Sequence, residues 1–251
     1  MQQQFAPPPP QPHMPLIIPK KAKRAHARIA NRQHNSRAIR ILLAALLLCT
    51  AWAVQAQPPK LPAIGDILCA DGTFVAPGQW ATATGKIAKG VVFYVNLQMP
   101  TRGLAIALKD LGRYQWSSKD KGDVPSLPNM QTRKVALRDV AGRANTRALR
   151  AMPAADYPAA HAISTDDWTA GWYLPAAGEL RLLYARYPQV ATALGYIEIR
   201  DRGSTSVLND VYWSSTEFGT SYAWIVTRHM RAYNGCYIKS YSWWVRPVLA
   251  F

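Results

Sequence analysis

Apolar positions cluster along this chain more than they repeat, and the clusters predict its elements. Across residues 66–75 two short apolar runs flank Asp71-Gly72. That dipeptide accepts the positive φ of a type I′ turn, so the stretch predicts a hairpin. Pro77-Gly78 makes a second break. Gly90-Val91-Val92-Phe93-Tyr94-Val95 is too apolar for an exposed face and predicts a buried strand. Residues 103–108 predict another, because turn residues on both sides favour strand over short helix. Residues 109–124 are polar and contain glycine, and read as a loop carrying Trp116.

From residue 129 the spacing becomes helical. Val135, Leu137 and Val140 can share a face before Gly142 interrupts. Residues 145–151 predict a second short helix stopped by Pro153, and residues 157–163 another. Arg133, Lys134, Arg138, Arg143, Arg147 and Arg150 make this region basic, which a solvated helical face explains. After Pro175, residues Leu180, Leu183, Tyr184 and Tyr187 fall three and four apart, predicting an amphipathic helix that ends before Pro188. Residues 203–209 read as loop, and Tyr212 opens the terminal strands. Strands, then helices, then strands, without βαβ alternation, indicate α+β.

The first 56 residues stand apart. A proline run and an acid-free basic stretch precede the apolar residues 41–54, and Val54 and Ala56 supply small positions before a cut at Gln57. This describes a secretory signal peptide. A stable spanning helix needs about 20 apolar residues, so a cleaved signal fits first and a retained membrane anchor second. Residues 57–65 read as a Pro-rich linker, and 66–251 as a single domain large enough to stand without disulfide staples. Removing residues 1–56 takes away eight basic residues and no acid, which reduces the formal charge from +16 to about +8. A secreted basic domain is placed to meet a protein or glycan ligand outside the cell, and the charge gives no case for nucleic acid.

The terminal stretch has a composition of its own. Between Phe218 and Trp243 it is rich in Tyr, Trp, Ser, Gly and Asn, and no acid follows Glu217. Tyr and Trp give contact area at low rotamer cost while Ser, Gly and Asn adapt their hydrogen bonds, as in a paratope. Ordinary strands with half-buried aromatics share that composition.

Four segments, in order and spacing, carry a resemblance: Gly171-Trp172-Tyr173-Leu174-Pro175-Ala176-Ala177-Gly178-Glu179-Leu180, Tyr212-Trp213-Ser214-Ser215-Thr216-Glu217, Ala223-Trp224, and Val245-Arg246-Pro247-Val248. They resemble the C-type-lectin-like domain of bacterial surface proteins, a group that includes formylglycine-generating-enzyme-like and collagen-like-adhesin C-terminal domains. The end is similar to variable proteins diversified by retroelements, in which a C-terminal repeat is rewritten by adenine-directed mutagenesis within a fixed scaffold. The resemblance implies a C-type-lectin-like fold with short twisted antiparallel strands and a few flanking helices. It implies that Trp213, Ser214, Trp224, Arg246 and Pro247 are scaffold. It gives the ligand contacts as Phe218, Ser221, Tyr222, Thr227, His229, Arg231, Tyr233, Asn234, Tyr237, Tyr241 and Trp243, with Arg228, Arg231 and Lys239 steering acidic partners.

Residues for catalytic or metal chemistry do not come together along the chain. The oxidase branch of the resembled group holds copper on thiolates; here only Cys69 and Cys236 follow the signal segment, far apart in sequence. That oxidase is the alternative reading, and a purely structural surface module is another. The calcium motifs of sugar-binding lectins are absent, and Asn209-Asp210 and Asp166-Asp167 read as turn or helix-start residues. His161 and His229 have no nucleophile or orienting acid at a recognisable spacing. The expectation is a non-enzymatic binding domain without metal or cofactor.

Overall fold

A computed structural model describes residues 60–118, 122–229 and 235–251. The signal-peptide reading of residues 1–56 and the first residues of the linker fall outside the described residues. Strands β1 (Ile67–Cys69) and β2 (Phe74–Val75) form the first hairpin, followed by a 3₁₀ turn at Pro77–Thr82 and then β3 (Ala88–Val95), β4 (Gly103–Ala107) and β5 (Gly112–Gln115). Helices α1 (Arg133–Ala136), α2 (Gly142–Arg150), α3 (Pro158–His161) and α4 (Thr165–Thr169) come next, then β6 (Trp172–Tyr173), α5 (Ala177–Ala185) and α6 (Tyr187–Arg200). The chain finishes with β7 (Val211–Gly219), β8 (Tyr222–Thr227), β9 (Cys236–Ile238), β10 (Ser242–Val245) and β11 (Val248–Ala250).

The strands form two sheets, ordered β2-β1-β3-β4-β11-β6 and β5-β10-β7-β8-β9. The C-terminal residues join both, because β10 lies in the second sheet and β11 in the first. Arg246 stands between them, fully buried, and its guanidinium donates to the carbonyls of Ala107 (2.8 Å), Leu108 (2.6 Å) and Ser206 (3.1 Å) and approaches Asp110 at 3.3 Å. A buried cation is tolerable only when saturated in this way. Its carbonyl partners lie at the end of β4 and in the connections after β4 and α6, so one side chain fastens the crossover between sheets.

The fold is mixed α+β, as the order of elements predicts, and three local expectations change. The first hairpin forms with register Ile67↔Val75 and Leu68↔Phe74, and Gly72 takes φ +79 in its turn. Residues 109–124 contain a strand: β5 pairs with β10, with Trp243 opposite Tyr114. The helix after Pro175 ends at Ala185, before Pro188 as expected, but a further helix follows at once and takes Tyr187, which the spacing places on the first. Pro188 sits in the first turn of α6, where the missing N–H has no acceptor to lose. That helix then buries Val190, Ala193, Leu194 and Ile197, a single stripe. Gly142 opens α2 rather than interrupting a helix. A Cβ there would run into the Glu179 carboxyl, the Ala176 amide and the Tyr173 ring, so close approach requires glycine.

Candidate ligand-binding surface

Strands β7 and β8 make a hairpin whose outer neighbour, β9, is an edge strand. The β8–β9 register sets Tyr222 opposite Ile238, Ala223 opposite Tyr237 and Trp224 opposite Cys236. Directly opposed residues share a face and alternate residues change it. Tyr222, Trp224 and Ile238 therefore lie on one face, and Tyr237 on the other. Ring contacts follow this division. Phe218 packs against Tyr222 at 6.2 Å and Trp224 at 5.8 Å between centroids. On the opposite face Tyr237 makes edge contacts with Tyr241 at 5.0 Å and Trp243 at 5.3 Å. The Arg113 guanidinium lies 5.8 Å from the Trp243 ring centroid. Tyr241, in the turn before β10, is 52% exposed.

Beneath this surface lies a buried ion pair. Glu217 on β7 accepts from the Lys239 ammonium at 2.5 Å and from the Val124 amide at 3.2 Å. Lys239 also donates to the carbonyls of Gly122 (2.9 Å) and Thr220 (3.0 Å), and it stands 4.7 Å over the Trp116 ring. Burial pushes the Glu217 carboxyl up and the Lys239 ammonium down from their ordinary values, while their mutual contact acts in the opposite sense. With three oxygen acceptors and an aromatic face, the ammonium form is fully satisfied. The pair ties the turn after β9 to β7 and to the segment entering the helices. Trp224 adds a second tie, donating from Nε1 to the Met130 carbonyl at 2.8 Å. The aromatic edge is thereby mounted on a rigid base.

The ligand positions implied by the resemblance are distributed unevenly. Phe218 and Tyr222 meet on one face; Tyr237, Tyr241 and Trp243 meet on the other. Ser221 is exposed in the turn between β7 and β8. Thr227 is only 9% exposed and pairs with Val211 at the far end of β8, roughly 17 Å along the strand from Tyr222, which removes it from the surface. His229 is exposed beyond that same far end, away from both ring clusters. Arg231, Tyr233 and Asn234 lie outside the described residues. Lys239 does not steer a partner, because it is buried on Glu217. Arg228 stacks 3.6 Å over the Tyr187 ring and is 4.0 Å from Asp210.

The scaffold positions are buried and hydrogen-bonded. Trp213 Nε1 donates to the Tyr114 carbonyl at 2.8 Å, and Ser214 Oγ donates to the Trp224 carbonyl at 2.7 Å. Sequence reasoning missed Arg113 and Ile238. Ile238 was visible as an apolar residue in an acid-free stretch; Arg113 reaches the surface only through the β5–β10 pairing, which local pattern does not carry. Cys69 is buried in β1 of one sheet and Cys236 lies on β9 of the other, both as free thiols. No disulfide joins them.

The architecture is similar to that of a fimbrial protein from Bacteroides ovatus, with a TM-score of 0.58 and 20% sequence identity over 76% of this chain and 49% of that chain. The chain thus spans about half the length of that protein. No protein-family model and no curated protein matches the chain. At this identity the likeness is one of fold alone.

Proposed function

We propose that residues 60–251 form a non-enzymatic binding module of C-type-lectin-like kind, displayed at a bacterial cell surface, which recognises a protein or glycan outside the cell through the aromatic edge around β9. The observation that carries this reading is the corner of Tyr237, Tyr241 and Trp243 beside Arg113. Its rings meet edge to face, one is half exposed, and the base beneath it is fixed by the Glu217–Lys239 pair. Rigid, amphipathic aromatic anchors next to an arginine are the residue types that dominate binding hot spots. The fimbrial fold neighbour supports a surface location. The similarity of the last residues to retroelement-diversified proteins adds a finer reading, in which positions 218–243 vary between sibling cells.

The double variant Tyr237→Ala, Tyr241→Ala tests the site. Screens of wild type against a glycan array and a surface-protein library should give a ligand, and the variant should lose it by at least about a hundredfold, as expected for two anchors of ~2 kcal/mol each. Its thermal transition should move by only a few degrees. Retained binding, or unfolding of the variant, would reject the assignment. Sequencing codons 212–251 across a growing population tests diversification, and an invariant stretch would point to one fixed ligand.

A further inference from the structure

A second concavity lies away from the aromatic edge, where the β3–β4 hairpin meets α5 and the last residue of the chain. It encloses about 710 Å³, within the size range of small-molecule sites, roughly 300–1,000 Å³. Tyr94 and Leu104 from the hairpin, Leu182 from α5, Val140 before α2 and Phe251 make its walls apolar. No single protein side chain fills a space of that size.

Besides Tyr94, one acidic and one basic side chain line it, and they differ in what they can offer. Both oxygens of Glu179 are engaged: Oε1 accepts from the Tyr173 hydroxyl at 3.0 Å and Oε2 from the Ala176 amide at 2.8 Å. Burial also pushes this carboxyl up to about 8, so it presents little negative charge to a ligand at neutral pH. Arg102 at the mouth is exposed, and its guanidinium makes no hydrogen bond or ion pair among the described residues. Val140 in its wall is 61% exposed, and the hairpin turn between the lining residues Asn96 and Arg102 carries Leu97, 95% exposed, and Met99, also exposed. This exposure is built into the turn, because Asn96 Oδ1 accepts from the amides of Gln98 (2.9 Å) and Met99 (3.1 Å) and fixes the loop that presents Leu97. An available guanidinium at the entrance of an apolar cavity complements a molecule with an anionic head and a hydrocarbon body.

We propose that this cavity binds the acyl chain of an anionic amphiphile, with Arg102 on the oxygens of its head group and Leu97 and Met99 against the chain where it leaves the cavity. A free fatty acid and a membrane lipid share that chemistry.

The test is a fluorescence titration of the full chain with cis-parinaric acid, compared with the same titration of Leu182→Trp, which obstructs part of the cavity, and of Arg102→Ala. Val140→Trp, at an exposed rim position, serves if Leu182→Trp fails to fold. The apolar residues 41–54 are common to every variant, so differences between variants report the cavity. The expected result is saturable binding at one site per chain that weakens at least tenfold in the obstructed variant and severalfold in Arg102→Ala, with unchanged thermal transitions. The corresponding parinaryl alcohol should bind more weakly than the acid. Competition by monomeric palmitate would identify the free acid as ligand; competition by phosphatidylglycerol vesicles alone would identify a membrane lipid. No saturable binding, equal binding by a folded obstructed variant, or equal affinity for acid and alcohol would each overturn the proposal.

Discussion

Glu179 stands three residues into α5, where a carboxylate can accept from the amide at the helix start and meet the positive end of the helix dipole. The first of these is realised in its bond from the Ala176 amide. Burial nevertheless dominates, with the nearby Asp139 charge acting in the same direction, and the carboxyl rises from the ordinary 4.5 to about 8. The consequence for stability has a definite sign. Below about 4.5 the proton is held in both the folded and unfolded states; between about 4.5 and 8 only the folded state holds it. Stability therefore falls as pH rises through that window and levels off above about 8. Glu179→Gln keeps an acceptor for the Ala176 amide and an NH₂ for the Tyr173 hydroxyl, and it removes the titration. Chemical denaturation at pH 5 and pH 8 should show a drop in wild type that exceeds the drop in Glu179→Gln by on the order of 3 kcal/mol. Equal drops in the two proteins would contradict the protonated, buried carboxyl. In the sequence this acid looked like an ordinary helix-start residue. Its burial follows from the close passage of Gly142, and no local pattern announces that contact.

At the scale of elements, the Glu217–Lys239 pair decides how β9 and its following turn are held. Lys239→Met leaves Glu217 buried with the Val124 amide as partner, and such uncompensated charge costs about 3–5 kcal/mol. Adding Glu217→Gln removes that charge and should return a substantial part of the loss. A double-mutant cycle by urea denaturation measures the coupling; a coupling below about 0.5 kcal/mol would mean that the pair does not fasten the edge. The sequence showed the neighbourhood of this latch without the latch itself. Tyr212–Glu217 and Trp244–Arg246 were legible as framework, being aromatic and β-prone, whereas Lys239 looked like one more surface cation because nothing in its immediate surroundings reveals that it turns inward. The same limit explains the elements that local pattern leaves unread, α6 and β5. Pro188 has opposite meanings at the end of one helix and the start of the next, and β5 is polar enough to pass for loop until β10, more than a hundred residues later, pairs with it. The strands at residues 88–107 and 211–227 were legible because their apolar runs are local.

At the scale of the whole molecule, residues from Pro59 to Phe251 make one compact unit containing both sheets. Two clusters of buried side chains serve it. Trp80, Phe93, Leu183, Ile197 and Tyr212 belong to the first, and Trp116, Leu149, Tyr157, Trp213 and Leu249 to the second. The C-terminal strands contribute to both clusters, with Val248 in one and Val245 in the other. Neither cluster can be completed without the last residues of the chain, so the unit should fold all at once or not at all. The aromatic edge and the amphiphile cavity also lie within it. A chain beginning at Pro59 is expected to unfold in a single cooperative transition, with coincident far- and near-ultraviolet circular dichroism and a melting temperature within a few degrees of the full chain. It should retain parinaric acid binding. A truncation that removes β11 should abolish the near-ultraviolet signal of both clusters together, because it takes Val248 from the first cluster and Leu249 from the second and leaves Arg246 at a frayed end. Loss of one cluster with retention of the other would instead divide residues 59–251 into two independently folding parts, and would place the aromatic edge and the cavity on separate thermodynamic units.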